Sequence, residues 1–226
     1  MYTKTVCQGG FLYRTDREES PLVVLIIHEG DGWEIVEEVS KKGVFCNFYV
    51  LCPKNWNKAM TPWPAKGVFK SGEDFAGNAE EYLNELLNDK LPYVFESLGE
   101  RPESVGLVGY SLAGLFALYA VSKTDVFDKT ASVSGSLWYK GFTEYLKEKG
   151  LWNKDMKIYL SVGDREDKSA DSLVRTVSAK TDEATLILKE QGHRVTLERN
   201  EGNHFHDVTG RIAKAVTNLY KTGERG

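Results

Sequence analysis

Two hydrophobic periods alternate along this chain. Short runs rich in β-branched and aromatic residues predict strands at Val23–His28, Val44–Leu51, Ser104–Gly109, Thr130–Ser134, Lys157–Val162 and Arg194–Glu198. Between them, helical spacing predicts helices over Trp33–Ser40, Ala76–Leu98, Leu112–Ser122, Ala170–Gln191 and Val208–Tyr220. In the last of these, Val208, Ile212, Ala215, Val216 and Leu219 make one apolar stripe. Pro92 is expected to kink or divide the long Ala76–Leu98 pattern, because it has no N–H to donate. Thr3–Gln8 and Phe11–Arg14 predict an antiparallel edge hairpin around Gly9-Gly10. Strands alternating with helices are the signature of a mostly parallel sheet covered on both faces. The longest stretch without a period, Cys52 to Phe75, contains NWNKAMTPWPAKG. Unstructured loops that long are usually functional or disordered, and its tryptophans and prolines argue against disorder.

Composition narrows the partners. The 226 residues show no internal repeat, low-complexity segment or linker, so one domain spanning 1–226 is expected. A formal charge of -4 leaves no basic footprint for nucleic acid. No run reaches the ~18 apolar residues of a membrane span, and the start, MYTKTVCQGG, lacks a leader's positive-then-apolar pattern. Cys46 and Cys52, two of three cysteines, lie six apart in FCNFYVLC, too far along one strand to bridge. Free thiols in a reducing cytoplasm are therefore expected. The sequence says nothing of oligomeric state.

The chemistry starts at VGLVGYSLAGLF. A buried strand, Val105 to Val108, runs into a helix that begins directly after Ser111. Such a bend crowds the residues two before and two after the serine, so both must be small, and Gly109 and Ala113 are. The bend sets Ser111 at the C-terminal edge of the sheet, where open α/β sheets bind ligands. It also sets the Leu112 N–H at a helix start, aimed at a developing oxyanion. A nucleophilic serine needs a base. Of the four histidines, His28 ends a strand and His193 precedes one, and both read as structural. His204, in the loop of LERNEGNHFHDVTG, is preferred as the base, with His206 left as a helix cap or first-turn residue. HFH could be a metal pair, but no carboxylate or cysteine set completes a site, so no metal or other cofactor is expected. On a strand-to-helix serine turn of this kind the acid falls between serine and histidine in chain order, and the loop after KIYLSVG, between Ser111 and His204, offers Asp164, Glu166 and Asp167. The glycines of Glu29-Gly30-Asp31-Gly32, after another strand, let the Asp31 or Gly32 N–H serve as second oxyanion donor. Trp56, Trp63 and Trp138 are candidates for an aromatic wall against the substrate.

The order of LIIHEGDGW, KAMTPWP, GYSLAGLFALY, SGSLWY, SVGDRED and EGNHFHD resembles the esterase family of α/β-hydrolases, from about Leu22 to Leu219. That family includes enterochelin esterases, S-formylglutathione hydrolase, feruloyl esterase domains and mycolyltransferases. The resemblance implies a three-layer α/β-hydrolase fold, a mostly parallel central sheet flanked by helices, without a large cap domain. It implies a carboxylic ester hydrolase acting through an acyl-enzyme on a small-molecule ester. It assigns Ser111 as nucleophile, His204 as base, Glu166 among the three acids, and the Asp31 N–H as second oxyanion donor. Departures are Glu29 for the usual Asp, Ala113 for Gly, and no arginine before T-P-W-P, where Lys58 is the nearest cation. The last departs from the siderophore-esterase branch in particular. The same residues would also serve a thioesterase or acyltransferase, and a silent relative could bind ligands without chemistry.

Overall fold

The structure is a computed structural model, described here over residues 1–68 and 72–221. Its sheet has eight strands among those residues: β1 Tyr2–Cys7, β2 Gly10–Thr15, β3 Leu22–Ile26, β4 Asn47–Leu51, β5 Val105–Tyr110, β6 Lys129–Val133, β7 Lys157–Gly163 and β8 Arg194–Asn200. They lie in the order β1-β2-β4-β3-β5-β6-β7-β8. β1–β2 and β2–β4 pair antiparallel, and every pair from β4 to β8 is parallel. The loops that follow β3, β5, β6, β7 and β8 therefore leave from one edge of the sheet. The order reverses around β3, the kind of point where open α/β sheets form a crevice.

Eight α-helices complete the described fold: α1 Trp33–Lys41, α2 Trp56–Ala59, α3 Ala79–Glu85, α4 Leu91–Leu98, α5 Leu112–Val121, α6 Phe142–Lys149, α7 Val177–Glu190 and α8 Val208–Tyr220. Successive strand side chains point to opposite faces, and β3 shows the consequence. Leu22, Val24 and Ile26 join the core under α3 to α7, whereas Val23, Leu25 and Ile27 join the core under α1 and α8. That is the three-layer arrangement expected, with α5 buried along its whole length.

Several expectations need correction. The Ala76–Leu98 pattern is helical from Ala79 and contains a wide π turn, Leu86–Lys90, just before Pro92. The turn shifts the hydrogen-bond ladder so that the missing proline N–H is absorbed without breaking the axis. The pattern read as a helix from Ala170 becomes α-helical only at Val177, after a 3-10 turn at Val174–Thr176. Asp171 stops it earlier, its Oδ1 accepting the Leu173 and Val174 N–H groups at 2.8 and 3.0 Å. Helix α6 was not anticipated. Within Cys52–Phe75 the structure forms α2 and a bridge between Ala65 and Phe75, and residues 69–71 lie outside the described part.

His193 is structural, as expected. It is buried, and its Nδ1 accepts the Met156 N–H at 3.3 Å. Burial, and then the Lys154 charge, hold its pKa below the ordinary histidine value. The unfolded chain thus takes up this proton at higher pH than the folded one, and stability falls as pH drops through about 6.5 and below. The melting temperature of His193→Gln should fall less over that range than wild type. Equal slopes would remove His193 from the acid response.

Candidate active site

Ser111 sits where β5 breaks into α5, with φ 61° and ψ -124°. A positive φ at a residue with a side chain costs about 1–3 kcal/mol and persists only where the surroundings enforce it. Here the Ser111 N–H donates to the Val133 carbonyl at 3.1 Å, and its own carbonyl accepts the N–H groups of Gly114, Leu115 and Ser136. Gly109 is required for closeness, because a Cβ there would stand 2.1 Å from the Ala113 carbonyl oxygen. The crowding therefore runs between Gly109 and the backbone of Ala113, not its methyl, which explains why alanine is accepted. Gly114 lets α5 approach the turn after β6, since its Cβ would meet Gly135 Cα and Ser132 Oγ at 2.9 Å. The first helical bonds come from the Gly114 and Leu115 N–H groups, leaving Leu112 and Ala113 to start the helix without an intrahelical acceptor.

His204, in the loop after β8, places Nε2 3.0 Å from Ser111 Oγ and Nδ1 2.8 Å from Glu166 Oε2. Glu166 stands one short turn beyond β7 and is buried. Its Oε1 accepts the Gly163 N–H at 2.6 Å and Arg211 Nη1 at 3.0 Å. Burial opposes its ionisation. The His204 hydrogen bond and charge, the Gly163 N–H and the Ser134 hydroxyl outweigh that and hold its pKa below the usual value. Asp164 and Asp167 are exposed. Asp164 instead accepts the Gly202 N–H at 2.7 Å, tying the loop after β7 to the loop after β8.

The other histidines divide differently from expectation. His206 is not a cap: Asp207 fills that role by accepting the Gly210 N–H, and His206 packs on Gly202, where a Cβ would leave only 2.6 Å. His28 is not structural but exposed, edge-on to Trp56 at 5.1 Å, in the wall of the site. Its strand ends at Ile26, two residues short of the run that predicted it.

Sequence reasoning missed Arg211. It is fully buried on α8, and Nη1 reaches Glu166 Oε1, Ser134 Oγ and Tyr110 OH, while Nη2 reaches the Glu201 and Asn203 carbonyls at 2.6 and 3.0 Å. One guanidinium thus fixes the carboxylate and the histidine loop against each other. Tyr110 adds a hydrogen bond to the His204 carbonyl at 2.5 Å. The signal was present in the pattern: Arg211 falls on the apolar stripe of α8, between Val208 and Ile212, where a charge must have a partner. Arg211→Met should cost about 3–5 kcal/mol of stability, the penalty for stranding a buried charge. Because Arg211 is outside the cleft lining, kcat should fall more than KM changes. Arg211→Lys should recover part of kcat, since one ammonium cannot reach acceptors arrayed around two guanidinium nitrogens. Denaturant titration and steady-state kinetics measure both; a fully stable Arg211→Met with normal kcat would remove the clamp.

Ser111, His204 and Glu166 line a cleft of about 690 Å³. Trp56 and Trp138 form part of its wall with Phe75, Val174 and Val177. Trp63 does not reach it. That side chain packs on Tyr139, Phe142 and Tyr145 and donates its indole N–H to the Lys140 carbonyl, so its aromatic role is structural. Asp31 and Ser111 both line a neighbouring cleft. Its carboxylate accepts from Lys4 and, at 3.0 Å, from the Trp33 N–H, which ties the loop to the edge hairpin. Gly32, at φ 74°, must be glycine because a Cβ would come within 2.9 Å of Val50.

A mostly parallel sheet with a serine on a strained turn after β5, a carboxylate after β7 and a histidine after β8 defines an α/β-hydrolase. Residues 15–209 match the family model described as "Esterase: Putative esterase", and the chain belongs to that family and is an esterase. The Bacillus subtilis (strain 168) protein YbbA, described as uncharacterized, is 32% identical over 176 residues, covering 74% of this chain and 70% of YbbA. Among solved structures, an IroE-like serine hydrolase from Shewanella oneidensis superposes with a TM-score of 0.75 at 14% identity, covering 98% of this chain and 80% of that one. The siderophore hydrolase EstA from Aspergillus nidulans gives 0.71 at 15% identity, covering 97% and 93%. Among the described residues no helix is long and apolar enough to cross a membrane.

Proposed function

We propose that this esterase works through an acyl-enzyme on Ser111. His204 Nε2 takes the hydroxyl proton as Oγ bonds to the ester carbonyl carbon. The tetrahedral oxyanion is held by the Leu112 and Asp31 N–H groups. Its collapse breaks the bond to the alkoxy oxygen, which receives the proton back from His204. Water then repeats the sequence and releases the acid. Glu166 holds the imidazole with Nε2 free to accept. What supports this reading is the unbroken chain from Ser111 Oγ through His204 to Glu166, at 3.0 and 2.8 Å. No metal or organic cofactor is needed for it.

Hydrolysis of p-nitrophenyl acetate with a pre-steady-state burst, together with fluorophosphonate labelling of Ser111, tests the mechanism. A purified protein that neither turns over the ester nor takes the label would sink it. Siderophore esters are the natural substrates to screen first, because EstA, which shares the fold, is a siderophore hydrolase.

A further inference from the structure

Two clefts, not one, open on the Ser111–His204 pair. The first is the cleft of about 690 Å³ walled by Trp56, Trp138 and Phe75. The second, about 620 Å³, runs between the Glu29–Gly32 loop, Trp33 and the start of α8. Ser111, His204, His28, Trp56 and Phe205 belong to both walls, so the pair lies at the junction. A tetrahedral centre on Oγ carries two further substituents besides the oxyanion, the acyl chain and the alkoxy group, and these diverge. Each can enter its own cleft.

The walls differ in charge. Lys168 and the Asp164-paired Arg165 line the first, together with Glu73 and the Arg211-paired Glu166. Glu29, Glu34 and the Lys4-paired Asp31 line the second, with no lysine or arginine among its described lining residues. Trp33, 41% exposed and packed against Tyr13, adds an aromatic ring to the second wall beside the shared, 83% exposed Phe205. Aromatic rings beside carboxylates favour a neutral or cationic ring and disfavour an anionic one.

We infer that the second cleft is a substrate subsite, and that the enzyme cleaves esters joining two bulky groups, of which only the one entering the first cleft tolerates negative charge. This rests on the esterase mechanism proposed above. The test compares kcat/KM of the wild-type enzyme for methyl acetate, methyl benzoate, phenyl acetate and phenyl benzoate, followed by acid release. Divided by the rate of alkaline hydrolysis of the same ester, the value for phenyl benzoate should exceed that of each singly bulky ester by about tenfold or more, as burial of a further ring predicts. Of the two phenyl benzoates carrying one carboxylate, on the acyl or on the alcohol ring, one should be about tenfold slower. Which one is slower tells which group the second cleft takes. Glu29→Gln with Glu34→Gln should narrow that gap. Thr209→Trp, which fills the second cleft, should reduce phenyl benzoate turnover about tenfold more than methyl acetate turnover. Equal rates for the two charged isomers, or no gain from a second ring, overturn the inference. Fluorophosphonate labelling of the same preparations separates the two failures. Labelled enzyme without these preferences sinks the subsite alone, whereas unlabelled wild type sinks the mechanism beneath it.

Discussion

Ser111→Ala should lower kcat/KM for p-nitrophenyl acetate by about 10⁴- to 10⁶-fold, the loss expected when a serine nucleophile is removed. The effect should be confined to chemistry. Alanine and serine meet the same steric cost at φ 61°, and the Ser111 side chain makes no capping bond to α5. Its hydroxyl is bonded to His204 alone among the described residues. Unfolding free energy should therefore stay within about 1 kcal/mol of wild type. Labelling should vanish while the melting temperature holds. Ser111→Ala protein that still labels would move the nucleophile elsewhere.

Glu166→Gln should cost about 10³- to 10⁴-fold in kcat, against less than about tenfold for Asp164→Asn. All three of the closest partners of the Glu166 carboxylate are donors: the Gly163 N–H, Arg211 Nη1 and His204 Nδ1. A glutamine has only one acceptor oxygen, so its NH₂ must face a donor whichever way it turns. If it faces His204, the imidazole proton moves to Nε2 and the base can no longer accept from Ser111. If it faces Gly163 and Arg211, donor meets donor there, and in either orientation the buried guanidinium loses its counter-charge, so stability falls by about 3–5 kcal/mol. Asp164→Asn keeps an oxygen to accept the Gly202 N–H, so the two loops stay tied. Kinetics and denaturant melts of both variants measure this, and a more damaging Asp164→Asn would transfer the acid role.

Much of the site was legible because the residues that make it are local in their demands. GYSLAG spells a strand-to-helix turn by its small residues, and Ser111 could be nominated from that alone. His204 followed from its place in a loop after a late strand, and the chain order Ser, acid, His that this fold takes confined the acid to the loop between. The order could not choose among Asp164, Glu166 and Asp167. All three occupy the same loop, and only the family resemblance favoured the one the fold brings to His204. Of the three tryptophans considered for an aromatic wall, Trp56 and Trp138 line the cleft, but Trp63, in the same loop as Trp56, turns toward α6, a helix the sequence did not announce. His28 was misplaced because its strand stops at Ile26.

By itself, then, the sequence determined the alternation of strands and helices, the parallel sheet this implies, and the nucleophile turn, because periodicity and small-residue spacing act between near neighbours. Only the tertiary structure decided which carboxylate meets His204, that Arg211 bridges the two loops, and that two clefts flank Ser111. The longer of those contacts, from His204 to Glu166 and from Arg211 to Tyr110, join residues 38 and 101 positions apart. Their geometry depends on strand order and register, which place the ends of β3, β5, β7 and β8 along one edge, and no local pattern encodes that.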